Sequence, residues 1–118
     1  MEGATLNKVT LTVSSREAVT DRALAAFRGE PQGTVISFAS PELLWQTLTR
    51  KRWEVVKAMT GRGPVTIRGL ARELGRDVKG VHGDVHALLE AGLLDRTEEG
   101  RILFPYDAVH VDFELEAA

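Results

Sequence analysis

Arg68, Arg72 and Arg76 recur at i, i+4 and i+8, a spacing that sets three side chains along one edge of a helix. The guanidinium group is a planar, permanently charged fork that matches phosphate oxygens, so the chemistry of such a row is contact with a polyanion. A valine-rich stretch follows, from Asp77 to Ala91. If it is a helix with Val78, Val81, Val85, Leu88 and Leu89 turned inward, then Lys79, Gly80, His82, Gly83 and His86 face out. The N-terminal ones would approach base edges in a major groove. Phosphate contacts supply affinity and register, while base contacts supply sequence discrimination. Arg50, Lys51 and Arg52 on one side, and Arg96 and Arg101 on the other, are placed to reach a flanking backbone.

Other chemistries fare worse. Taken singly, each arginine is as readily a solvated surface charge. His82 and His86 stand at i and i+4, a spacing that can share a metal ion, but Gly83 occupies the place of a zinc protease's glutamate and no third ligand is near. No metal is expected. Gly61-Arg62-Gly63-Pro64 lacks the Gly-Lys-Ser/Thr of a phosphate-binding loop. No Ser/His/Asp order stands out and there is no cysteine, which removes thiolate catalysis, disulfides and Cys-based zinc sites. The expectation is a non-enzyme without a cofactor. Two features oppose strong nucleic-acid binding: Gly80 and Gly83 each cost a helix roughly 1 kcal/mol relative to alanine, and between Asp77 and Glu90 Lys79 is the one basic residue against three acids.

The net charge of -2 conceals a strong division. Residues 1–49 carry four basic and five acidic side chains, residues 50–76 eight and two, and residues 77–118 three and ten. Positive charge is thus gathered where the arginine row begins, which hides a basic face inside a mildly acidic chain. With 118 residues, 43% of them hydrophobic, one compact domain is expected. The sequence carries no apolar run of membrane-spanning length and opens with no secretory leader pattern, so a cytoplasmic protein without membrane contact is expected.

The elements that must hold these residues can be read from periodicity. Ile67, Leu70, Ala71 and Leu74 share a helical face, with Thr66 as N-cap and Gly75 able to end the helix in the left-handed region. With the helix that follows, this makes a helix-turn-helix. Thr49 caps an earlier helix whose Trp53, Val56 and Met59 should be buried, and Ser40-Pro41-Glu42 opens another with Leu44, Trp45 and Leu48 inside. Both tryptophans read as core anchors. Residues 94–97 and 101–104 flank Glu98-Glu99-Gly100 as a hairpin, the wing of a winged helix-turn-helix.

Before this unit, residues 6–13 alternate as a strand. Ser14 or Ser15 caps a helix lined by Val19, Ala23, Ala26 and Phe27, and residues 33–39 return to strand. After it, Pro105-Tyr106-Asp107 breaks the chain ahead of a strand with Val109, Val111, Phe113 and Leu115 on one face and acids on the other. The reading is an α+β chain: a strand-helix-strand arm over residues 1–39, a winged helix-turn-helix over 40–104, and a C-terminal acidic strand over 105–118 packing with the arm. Strands in need of sheet partners point to a homodimer.

The run Leu48-Thr49-Arg50-Lys51-Arg52-Trp53-Glu54-Val55-Val56, the segment from Gly63 to Lys79, His82, Asp84-Val85, Leu88, Gly92-Leu93-Leu94 and Pro105-Tyr106-Asp107 together resemble short prokaryotic MarR-like winged helix-turn-helix proteins, described as DNA-binding transcriptional regulators. The likeness covers roughly residues 38–115. It implies a dimeric transcription factor, and the position of some relatives beside toxin genes suggests an autoregulating antitoxin. Such regulators often carry a long polar residue where this chain has Gly83. The expected function is a sequence-specific DNA-binding regulator, a repressor acting as a homodimer on double-stranded DNA. The alternative is an antitoxin-type module that binds a toxin protein.

Overall fold

The computed structural model describes residues 7–14, 16–29 and 33–115, the side chains at 16–19, 22 and 26 excepted. The chain runs β1 (Lys8–Val13), α1 (Arg16–Phe27), β2 (Thr34–Phe38), α2 (Pro41–Thr47), α3 (Arg50–Met59), α4 (Ile67–Leu74), α5 (Val78–Glu90), β3 (Asp95–Arg96), β4 (Ile102–Leu103) and β5 (Ala108–Asp112). It is a small α+β domain. Among the described residues no helix is long and apolar enough to cross a membrane.

Local chemistry starts and stops the helices as the sequence indicated. The hydroxyls of Ser40, Thr49 and Thr66 accept from the N–H groups of Leu43, Arg52 and Gly69, each satisfying a donor that the first turn leaves free. Gly75 ends α4 at φ 66°, where a side chain would be strained. There the Arg76 N–H reaches back to the Ala71 carbonyl and the Gly75 N–H to Arg72, satisfying the carbonyls left open at the helix end.

β1 is the centre of a fully parallel three-stranded sheet in the order β2-β1-β5. The register sets Leu11 between Ile36 and Val111, and this face carries the sheet's share of the core. The opposite face is more polar, with Thr12 donating its hydroxyl to the Asp112 carbonyl at 2.8 Å. Asn7 clamps the start of the sheet: its side-chain amide donates to the Pro105 carbonyl, and its backbone exchanges hydrogen bonds with Asp107. Three strands expected to need partners pair with one another, and β2 and β5 are left as the sheet's edges among the described residues. β1, β2 and β5 find one another within a single chain, because the long helical excursion returns the C-terminal strand to the side of β1.

α2 packs on β1 and β2, while α3, α4 and α5 pack on one another. One continuous core joins the two parts, running from Val9 and Leu11 through Leu44, Val55, Val56, Met59, Leu70, Val81, Val85 and Leu88. The hairpin is shorter than expected, two residues per strand, and gains a third backbone segment where Val65 and Ile102 exchange both hydrogen bonds at 2.9 Å.

Several expected burials are overturned. Trp45 is 53% exposed and Trp53 37%. α2 is anchored by Leu44 and Leu48, one turn apart, and α3 by Val55, Val56 and Met59, so Trp45 lies off the inward row of its helix and Trp53, three residues before Val56, sits at the margin of its own. Phe27 stands 92% exposed as the last residue of α1 and Val78 43% exposed as the first of α5. Leu6 and Ser15, and the side chains of Val19 and Ala26, lie outside the described residues. The last strand ends at Asp112, short of Leu115.

Candidate nucleic-acid interface

α5 is built around one inward row. Val81, Val85 and Leu88 are completely buried, and burying such side chains contributes roughly 1.5–3 kcal/mol each. That row fixes what the opposite flank presents: Lys79, Gly80, His82, Gly83 and His86 are all exposed. The imidazoles of His82 and His86 lie against one another, ring centres 4.2 Å apart, as the i, i+4 spacing dictates. No cluster of three metal-ligating side chains occurs among the described residues.

The acid that counted against this helix has a different fate from its neighbours. Asp84 lies in phase with Val81, Val85 and Leu88 and is turned inward, its side chain only 15% exposed. Two arginines meet it there. Arg52 donates from Nε to Oδ1 at 3.2 Å, and Arg76 from Nη2 to Oδ2 at 2.7 Å. Arg52 also donates from Nη1 to the carbonyls of Gln46 and Thr47 at 3.1 Å, closing the end of α2. One carboxylate therefore ties together α2, α3, the turn after α4 and the middle of α5. A carboxylate taken this far out of water needs such partners.

This arrangement divides the basic residues read from the sequence. Arg68 and Arg72 are exposed on α4, Arg50 and Lys51 on the first turn of α3, and Arg96 and Arg101 on the hairpin. Among the described residues none of these six side chains forms an ion pair or a side-chain hydrogen bond. Arg52 and Arg76 are instead half-buried on Asp84. The expected row of three ends at two, because Gly75 turns the chain after Leu74 and carries Arg76 off the α4 edge. Arg62 is paired as well, its Nη1 donating to both carboxylate oxygens of Glu73, which ties the loop from α3 to the far end of α4.

The glycines differ as well. A Cβ at Gly80 would meet Arg76 Nη2 at 3.4 Å, whereas one at Gly83 would meet nothing within 4 Å. Gly80 gives room for the guanidinium that lies over it, and Gly83 leaves bare backbone on the outer flank. The signal for Asp84 was present in the sequence: an acid in the inward phase of an apolar helix must find a cation, and arginines stood nearby.

The molecule is thus an α+β domain in which a three-helix unit with a short antiparallel hairpin sits beside a parallel sheet. The HVO_A0114 family profile matches residues 47–111, from the end of α2 through most of β5, and the chain belongs to that family. No curated protein and no solved structure matches it.

Proposed function

We propose that α3, α4, α5 and the β3–β4 hairpin form a winged helix-turn-helix and that the protein is a DNA-binding transcriptional regulator, a repressor acting as a homodimer. α5 would enter the major groove with Lys79, His82 and His86 toward base edges. Arg68 and Arg72 would hold phosphates, helped by Arg50 and Lys51 and by Arg96 and Arg101 at the hairpin. The observation that carries this reading is the division of α5 into a fully buried row and an outer flank of a lysine, two histidines and two glycines. The inward turn of Asp84 supports it, since that carboxylate is occupied by two arginines rather than facing a polyanion. The resemblance to MarR-like regulators points the same way.

The test is fluorescence anisotropy with duplex DNA from upstream of the protein's own gene, over a salt series. Binding should weaken linearly in log–log form, by about 0.9 in slope for each phosphate neutralised. Absence of binding at low salt, to this duplex and to unrelated duplexes alike, removes the reading.

A further inference from the structure

Among the described residues β5 is an edge strand, paired to β1 on one side only. An open edge exposes unpaired backbone donors and acceptors, and proteins that must stay monomeric blunt it with short strands, charged side chains, proline, bulges or inward-pointing charge. Ala108–Asp112 has no proline, and its charge is confined to the outward His110 and Asp112, while its inward residues Val109 and Val111 are both only half-buried. Between Val111 of this strand and the corner joining α2 to α3 lies an apolar groove of about 440 Å³, lined by Trp45, Leu48, Arg50, Trp53 and Val111. On the other side of β5 the inward Leu11 of β1 is completely buried, and on this side Val111 belongs both to the groove lining and to the edge strand. Trp45 meets Phe113 edge-on at 5.9 Å, which continues the apolar strip past the end of β5.

We infer that the groove and edge receive β5 of a second copy of this chain, joining two three-stranded sheets into one through a two-fold axis at Val111. This deepens the homodimer part of the proposed function and rests on it. Side-by-side strands related by a two-fold axis run antiparallel, and each residue then faces a partner at a fixed sum of positions. With the axis at Val111, Val109 faces the partner's Phe113 and His110 faces the partner's Asp112. The apolar residues of the added strand all fall on the groove side, next to Trp45 and Trp53. On the other face an imidazole N–H meets a carboxylate twice. His110 and Asp112 already lie 3.8 Å apart within one strand, so crossing that pair between copies uses side chains in place. An axis at Asp112 would set two carboxylates against each other, which disfavours that register.

The chain has no cysteine, so single thiols report the register. Opposed residues of an antiparallel pair sit about 4.5 or 5.5 Å apart between Cα atoms, inside the range a disulfide spans. Under mild oxidation Val111→Cys should give a reducible dimer in several-fold higher yield than Ser37→Cys on the other edge strand, with His110→Cys well below Val111→Cys. Light scattering on the unmodified chain should give twice the mass of the 12.9 kDa chain, and Val111→Lys should halve that mass with an unchanged far-UV circular dichroism spectrum. A double mass without preferential Val111→Cys cross-linking retains the homodimer and overturns this interface. The mass of one chain overturns both.

Discussion

Arg76 Nη2 lies 2.7 Å from Asp84 Oδ2, joining the residue just past the left-handed turn to the middle of the helix that follows. Arg52 reaches the other oxygen of the same carboxylate from α3. The angle at which α5 leaves the turn is therefore held by charge as well as by apolar packing, and the helix carrying the candidate interface is braced from behind.

Replacing Asp84 by alanine should destabilise the fold by about 2–3 kcal/mol, since two half-buried guanidinium groups lose their shared partner. Arg76→Met leaves Arg52 on the carboxylate and should cost about 1 kcal/mol. Urea unfolding of the two variants checks the order. Equal costs would mean that Arg52 does not hold Asp84 by itself.

The inward phase of α5 predicts a sharp contrast between two of its apolar residues. Leu88→Ala empties a fully buried position and should cost about 2–5 kcal/mol. Val78→Ala, at an exposed helix start, should change stability by no more than about 0.5 kcal/mol. Thermal or chemical unfolding distinguishes them directly.

Glycines in and before α5 should respond with opposite sign. Gly75→Ala forces a side chain into φ 66° and should cost about 1 kcal/mol or more. Gly83→Ala adds a methyl group in open space within a helix and should raise stability by roughly 0.5–1 kcal/mol. If Gly83→Ala stabilises the protein and also weakens DNA binding, the bare backbone there is part of the contact.

Arg68→Ala and Arg72→Ala should each leave unfolding unchanged within about 0.5 kcal/mol, because both side chains are exposed. Each should also lower the slope of log K against log salt by about 0.9 if it neutralises a phosphate. Anisotropy titrations of the single variants at several salt concentrations measure this. An unchanged slope in both would remove these two arginines from the proposed interface.

What the sequence determined by itself is the local frame. Capping hydroxyls at Ser40, Thr49 and Thr66, the stop at Gly75, and the 3.6-residue period of Val81, Val85 and Leu88 act within a turn or two of chain. Such signals therefore survive without knowledge of the rest of the fold, and they were enough to divide α5 into inner and outer flanks. The tertiary structure decided whatever depended on distant closure. Asp84 draws in Arg52 from 32 residues away, Thr12 meets Asp112 from 100 residues away, and β5 returns to β1 across the whole helical unit. Those closures fixed which arginines stay free, and they set the order and register of three strands in a single sheet. They also left Trp45 and Trp53 at a groove rather than in the core. A large apolar side chain states a preference for burial, but which row of a helix is buried is set by the neighbours that arrive against it.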